Sequence, residues 1–399
     1  MHKKTVAVFF GGRSPEHDVS IITGLQALKA LDSTKFEAFP VYLAPNGEWF
    51  IGEELLKTAN YMLNQETINK LQSVTLDLGH NNTGRLLVKN KSFFGSIKSV
   101  NFDIALLAVH GIHGEDGQLP AIMEMANIPY TGMRHFGSSL LMNKLATKQV
   151  LQAINIPVLS SQTIFRPNNG LVIDFDELQQ LAATLTFPAC VKPCNLGSSI
   201  GVAKVNNVTE LSEVLPLIFK YDYLALVEPF VENLIEYNIS VGKINGVTVT
   251  SAIEQPKCIS DLLDFKQKYA SGGGKSGSKT FDSVSSGMLS LTRKLNPKLS
   301  ETIEHNLHNW AKLAFNSVYG SGFPRIDFLC NSKTEQVWLN EINPCPGSFG
   351  FYLWEASNNN TVLFTELLNI LLEEAEILHK KQQLPIDPTP IDARLFKRI

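Results

Sequence analysis

The chain has 399 residues, 44% hydrophobic and 18% charged, with a formal net charge of −3. That length exceeds one core of ordinary size and points to two or three domains, and the near-neutral balance argues against the basic footprint of a nucleic-acid binder. Its five cysteines, Cys190, Cys194, Cys258, Cys330 and Cys345, form no C-x-x-C pair, which argues against a disulfide framework and fits a reducing, cytoplasmic setting.

The N-terminal "MHKKTVAVFF" pairs basic with apolar residues, but Gly11 and Gly12 end the run too early for a signal peptide. No segment approaches the roughly 20 apolar residues of a membrane span. "TVAVFF" reads as a buried strand and "GGRSPEHDVS" as a turn. Val19, Ile22, Leu25, Leu28 and Leu31 then recur at helical spacing. "FEAFPVYL" and "FDIALLAVH" are further strands, with residues 51–100 an elaboration between them. "GIHGEDG" is a loop and "QLPAIMEMAN" a short helix before "IPYTG". This alternation predicts a parallel-sheet α/β domain over residues 1–133.

Ser138 is expected to cap a helix through "LLMNKLATKQVLQAI". "PACVKP" is a strand, "CNLGSSIG" a turn and "VAKV" a return strand. A helix from Thr209 and the strand "YLALVEPF" complete an α+β unit over residues 134–227. A second α+β unit, residues 228–380, opens with "IEYNISVGKINGVTVTSAI", two strands joined at Asn245-Gly246. A long helix after Pro297, the hairpin "RIDFLCNSKTEQVWLNEIN" and the helix "TVLFTELLNILLEEAEIL" follow. Residues 381–399 read as an extended, proline-containing tail.

The last hairpin carries the clearest chemical pattern. Glu341 and Asn343 are two apart on a strand and share a face; a turn near Asn331–Thr334 brings Asp327 alongside. Two carboxylates and an amide oxygen are hard ligands suited to Mg²⁺ with substrate phosphates, and Arg325 shares Asp327's face. On spacing alone a solvated sheet face with a cross-strand ion pair is an equal reading. Lys192 leaves its strand beside Gly197, Ser198, Ser199 and Gly201, whose N–H groups could hold an anion; a hairpin turn with a solvated lysine is the alternative. Lys144 on its helix is open in the same way. His110 ends a parallel strand, the edge where open α/β sheets bind ligands. His110, His113, Glu115 and Asp116 lack helical H-E-x-x-H spacing, so Glu115 and Asp116 read as loop ties. Gly274-Lys275-Ser276 is not a Walker loop, because Tyr269 stands where its first glycine belongs.

Taken in order, "FFGGRSPEHDVS", "HGIHGEDGQL", "MNKLATK", "VKPCNLGSSIGVAKV", "VEPF…EYNISVG", "DFKQKY" and "RIDFL…NEINPCPGS" resemble the D-alanine–D-alanine ligase family of the ATP-grasp superfamily along nearly the whole chain. The resemblance implies an ATP-grasp fold and ATP-dependent carboxylate–amine ligation through an acyl phosphate. It implies that Lys144, Lys192 and Lys268 hold ATP phosphates, that Glu228, Pro229, Phe230 and Val231 meet the adenine, and that Glu236 holds the ribose. Asp327, Glu341 and Asn343 would bind two Mg²⁺ ions, with Mn²⁺ as a substitute. Glu16 and Ser198 would receive the first amino acid, His110, Tyr352 and Leu353 the acceptor, and Arg325 with the Gly347 backbone the oxyanion. Tyr269 would close over the substrates from a lid spanning about residues 264–295. Family members are often homodimers; neither nucleic acid nor a membrane is implied as a partner.

The chain departs from the family pattern at two places. Leu196 stands where a glutamate is common, and Tyr352 where a serine commonly grips the acceptor carboxylate. Two rivals to a D-alanine–D-alanine ligase therefore stand: an ATP-grasp ligase with another acceptor, and a nucleotide-binding protein without ligation.

Overall fold

A computed structural model describes residues 3–61, 65–79, 83–89, 98–197, 201–256, 293–384, 389–390 and 393–395. Most of the expected lid, with Lys268 and Tyr269, and also Ser198, Cys258 and most of the tail lie outside the described residues.

The first sheet contains β1 (Lys4–Gly11), β2 (Phe36–Leu43), β3 (Trp49–Ile51), β4 (Gln72–Leu76), β5 (Gly84–Val88), β6 (Ser99–Phe102) and β7 (Ile104–Leu107), in the order β6-β5-β4-β3-β2-β1-β7. Its parallel part is β2-β1-β7. The run Val6–Phe10 is fully buried, as suits a central strand covered on both faces. The elaboration turns out to extend the sheet antiparallel through β3 to β6. Helices α1 (His17–Ala30), α2 (Gln65–Lys70) and α3 (Gln118–Met125) complete this part. At the end of β1 the chain turns at Gly11 with φ +94°, and a Cβ there would sit 2.4 Å from the Leu43 carbonyl oxygen; only glycine fits.

Helices α4 (His135–Met142) and α5 (Lys144–Ala153) follow as two elements, not one. Ser138 lies buried inside α4 and caps nothing; Asn143 Oδ1 is the α5 cap, accepting from Ala146 N at 2.9 Å. Asparagine at this position satisfies one of the orphan amides of the first turn. The second sheet has the order β10-β9-β11-β8, from β8 (Gln162–Phe165), β9 (Ala189–Pro193), β10 (Ala203–Val205) and β11 (Leu224–Pro229), backed by α6 (Phe175–Leu181) and α7 (Val208–Ile218).

The third sheet, fully antiparallel, contains β12 (Leu234–Ile244), β13 (Val247–Pro256), β14 (Arg293–Leu295), β15 (Arg325–Asn331) and β16 (Val337–Asn343), ordered β14-β13-β12-β15-β16. Residues 293–295, expected at the end of the lid, are therefore strand. Helix α8 (Glu301–Ser317) packs Ile303, Leu307, Ala311 and Phe315 against Ile326, Phe328 and Leu339 of this sheet. Leu141 and Leu151 of α4 and α5 join the same core. After the short α9 (Phe351–Glu355), the last helix α10 (Phe364–Gln382) leaves the third sheet. Its Leu367, Leu368, Leu371, Leu372 and Ala375 share a core with Val6, Val8 and Phe10 of β1.

Candidate active site

Along β15 the residues alternate between core and open face: Ile326, Phe328 and Cys330 point inward, while Arg325, Asp327 and Leu329 face out. Asp327 pairs with Glu341 and Arg325 with Asn343. The next pair is Phe328 with Leu339, so Asn340 is an extra residue without a strand partner. Such a bulge re-aims side chains. Here Asn340 Oδ1 accepts from Lys192 Nζ at 2.9 Å, and the adjacent Glu341 lies 3.3 Å from Lys144 Nζ. Asn340 escaped the sequence reading because simple alternation assigns it to the opposite face.

A lysine nest stands over this strand. Lys144 is the first residue of α5, and its Nζ also donates to the Leu196 carbonyl at 2.6 Å. Lys148, one turn on, pairs with Glu228, and Lys192 lies 2.6 Å from the other oxygen of the same carboxylate. Burial alone would disfavour the charge on Lys192, but Glu228 outweighs it and holds the pKa up. Burial would likewise raise the Glu228 pKa, and the two lysines bring it below the usual value. In Lys148 burial wins and lowers the pKa. Three ammonium groups thus face two carboxylates, Glu228 and Glu341, a surplus of one positive charge in a low-dielectric site. The Glu228 side chain is committed to this ion cluster.

Lys144, Lys192, Leu196 and the segment Glu228 to Val231 line a cavity of about 100 Å³ with Leu159, Cys190, Val202, Leu234 and Leu329. A neighbouring cavity of about 330 Å³ is lined by Glu16, His110, Arg325, Asp327, Asn343 and Gly347 among others. Glu236, Leu329, Asn340 and Glu341 line both, so the two form one continuous site. Lysines and apolar side chains lie at one end, mixed charges at the other.

In the larger cavity Arg325 donates to both oxygens of Asp327, Nε at 2.6 Å and Nη2 at 2.7 Å, and Asn343 Nδ2 donates to the same carboxylate at 3.0 Å. Burial raises the Asp327 pKa against the pull of Arg325, whereas Lys144, Lys192 and Arg325 overcome burial to lower that of Glu341. Two carboxylates and the Asn343 amide oxygen supply the hard oxygen donors that a divalent ion with bound phosphates needs, so the residues present fit such an ion. Among the described residues no group of three His, Cys, Asp or Glu side chains makes a metal cluster.

Glu16 precedes α1. A Cβ on Gly111 would come within 2.4 Å of its Oε2, and one on Gly197 within 3.4 Å, so the carboxylate sits between loops from the first and second sheets. Ser20 ties the site to the first sheet: its Oγ accepts from Gly11 N at 2.8 Å and donates to the Ala108 carbonyl at 2.6 Å.

His110 lines the larger cavity, with both ring nitrogens committed to protein partners. Its Nδ1 donates to the Cys345 carbonyl at 2.7 Å and its Nε2 accepts from Thr23 Oγ1 at 2.9 Å, which in turn accepts from Ser348 N at 2.9 Å. Burial lowers its pKa to about 4, so the ring is neutral and has no nitrogen to spare. It acts on the loop after β16, where Ser348 and Phe349 are held at φ 52° and 55°, a strained conformation for non-glycine residues. Glu115 secures the same loop, accepting from Cys345 N at 3.0 Å and from Gly111 N at 2.8 Å; it is a tie, as expected. Asp116 accepts from His113 N at 2.8 Å and Gln118 N at 3.1 Å. Leu353 is fully buried and its side chain cannot meet a substrate. The Tyr352 hydroxyl donates to Glu254 Oε2 at 2.7 Å, so it is not aimed at a ligand.

A lysine nest of net positive charge beside an oxygen-rich strand, set between two α+β sheets, defines an ATP-dependent ligase of the ATP-grasp type. Family models described as "D-ala D-ala ligase N-terminus" and "D-ala D-ala ligase C-terminus" match residues 5–133 and 150–373. The D-alanine–D-alanine ligase of Thermosipho africanus is 31% identical over 394 residues, 98% of each chain. Among solved structures, the D-alanine–D-alanine ligase of Coxiella burnetii is 25% identical, covers 96% of each chain and superposes with a TM-score of 0.76. That of Helicobacter pylori is 28% identical over 93% of this chain and 98% of its own, with a TM-score of 0.69. The chain belongs to the D-alanine–D-alanine ligase family. ATP and a divalent metal are general requirements of that family, and its substrates are small amino acids. Among the described residues no helix is long and apolar enough to cross a membrane.

Proposed function

We propose that the chain joins two D-alanine molecules at the expense of ATP, yielding D-alanyl-D-alanine, ADP and phosphate for peptidoglycan synthesis in the cytoplasm. The observation that carries this reading is the lysine surplus facing Asn340 and Glu341 across a site continuous with the Glu16 and Gly347 loops. Lys144 and Lys192 hold the phosphates, the β11 backbone and the apolar wall hold the adenine, and Glu236 the ribose. Glu16 takes the ammonium of the first D-alanine, whose carboxylate oxygen attacks the γ-phosphorus and releases ADP. The amine of the second D-alanine then attacks the carbonyl carbon of the acyl phosphate. Arg325 and the Gly347 N–H face the oxygen that gains charge, and phosphate leaves with the carbon–oxygen bond pair. Two Mg²⁺ ions held by Asp327, Glu341 and Asn343 would neutralise phosphate charge during both transfers. The active species is a homodimer in this reading, which sedimentation tests.

The test is phosphate release with ATP and Mg²⁺, with and without D-alanine, and mass spectrometry of the products. D-alanine-dependent release with a dipeptide product is expected. Release that D-alanine does not stimulate would overturn the reading. A ligase with another amino-acid acceptor is the second reading, favoured by the commitment of the Tyr352 hydroxyl to Glu254; a panel of D- and L-amino acids and D-hydroxy acids distinguishes the two.

A further inference from the structure

Lys148 takes no part in the reaction proposed above, and it is not among the residues that line either cavity of the site. Its side chain is only 2% exposed. It follows Lys144 by one turn of α5, on the same face, and reaches Glu228 on β11. Burying an ammonium group is costly, and apolar side chains of similar volume commonly serve a core position at least as well as a buried ion pair does. Packing therefore gives no reason for a lysine here; its charge does.

The strand register shows what that charge prevents. On β9, Cys190 and Lys192 share a face, and Cys190 stands opposite Glu228 of β11. Glu228 and Lys192 are thus diagonal neighbours, close enough for the carboxylate to turn both oxygens toward one ammonium. Lys148 takes Oε1, which leaves Lys192 with Oε2 alone, at 2.6 Å. A further partner of Lys192, Asn340 Oδ1 at 2.9 Å, is neutral. Lys192 is thereby located by two acceptors, while the carboxylate that balances it is shared with a second cation. Of these two lysines only Lys192 lines the smaller cavity, so the charge left over is expressed there. Without Lys148, Glu228 would be the counterion of Lys192 alone, and phosphate oxygens would compete with it for that ammonium in a low-dielectric site.

We propose that Lys148 is a positioning residue for ATP: by occupying one oxygen of Glu228, it keeps the charge of Lys192 available to the nucleotide phosphates. This rests on the phosphate role of Lys192 in the ligase reading.

Isothermal titration of the full chain with ATP or adenosine, in Mg²⁺ and without D-alanine, tests it. Lys148→Met is expected to weaken ATP binding about four- to tenfold, part of the worth of a charge-assisted hydrogen bond. Adenosine, which has no phosphate, should bind within about twofold of wild type, whereas a merely structural defect would weaken both ligands. In the Glu228→Gln background there is no carboxylate to share, so adding Lys148→Met should change ATP affinity by less than about twofold. Should Lys148→Met not fold, Lys148→Gln keeps a hydrogen-bond donor for Glu228 without the charge and should weaken ATP about threefold or more. ATP affinity within about twofold of wild type in the folded variant, a parallel loss for adenosine, or the same loss with and without Glu228 overturns the assignment. Lys192→Met, titrated alongside, separates the two readings. If it weakens ATP and Lys148→Met does not, the assignment alone falls; if it leaves ATP affinity unchanged, the phosphate role of Lys192 falls and takes the assignment with it.

Discussion

Replacing Glu228 by glutamine removes one charge and almost no volume. In the wild type both carboxylate oxygens are used, one by Lys148 and one by Lys192, and all three side chains are nearly inaccessible to water. Two ammonium groups on one carboxylate lie roughly 4–5 Å apart, where unit charges repel by ~3–4 kcal/mol at an effective dielectric of 20. The carboxylate offsets this; the amide does not. Lys148, whose pKa burial already lowers, can escape by losing its proton, which caps the cost. Breaking a buried pair from one side costs about 3–5 kcal/mol, so Glu228→Gln should lower the unfolding free energy by that amount. At roughly 1.2 °C per kcal/mol for a chain of this size, the melting temperature should fall by about 4–6 °C. Lys148→Met in the same background removes the repulsion and should restore about 2 kcal/mol, measured as a coupling in a double-mutant cycle. Chemical denaturation of the four proteins at pH 7 is the assay. A Glu228→Gln cost below about 1 kcal/mol, or a coupling below about 0.5 kcal/mol, would refute the account of the nest as a mutually dependent buried cluster.

Lys192→Met should weaken ATP binding at least about tenfold through the lost phosphate contact, read by isothermal titration; unchanged affinity would remove Lys192 from the phosphate site. Burial, helped by the charge of Glu16, pushes Glu115 up to about 8 from an ordinary 4.5. Because folding raises this pKa, the stability it confers is full below about 4.5 and is lost as pH rises through about 8. Urea midpoints of wild type should therefore fall relative to Glu115→Gln between those values, and parallel curves would contradict the shift. His110→Phe should cut kcat about ten- to hundredfold by freeing the Cys345–Ser348 loop, with ATP affinity retained; a loss of both would point to a wider structural role. Gly24→Ala puts a methyl 2.4 Å from the Phe10 ring, and should cost about 1–3 kcal/mol by overpacking despite alanine's better helix propensity; thermal melting decides.

Much of this was legible from residues alone. The hairpin at Asn245-Gly246 and the one carrying Asp327 and Glu341 rest on two-residue alternation and strong turn signals, and both form with the expected facing. Lys192 stood at the end of a buried strand, where the chain can present a charge, whereas Lys144 read as one lysine within a single helix. What escaped depends on registers between distant strands. Glu254 is unremarkable on β13 until Asn238 bridges it to Asp327, and Lys148 looks like a surface residue of an amphipathic helix until β11 brings Glu228 beneath it. The division at Ser138 failed because two short helices abut at Asn143, so their apolar spacing runs on as one pattern. Tyr352 was expected to keep its hydroxyl for a ligand; the glutamate that takes it comes from a strand almost a hundred residues earlier.

The last helix has a consequence for synthesis. Val6, Val8 and Phe10 are made more than 350 residues before Leu367 to Ala375, which close their core. A ribosome adding roughly 5–20 residues per second has the first strand in hand for on the order of 20–70 s before its cover emerges. During that interval an apolar sheet face is open to other nascent chains and to chaperones. A stop codon just before Phe364 would make the exposure permanent, so the loss of α10 should be felt first at β1.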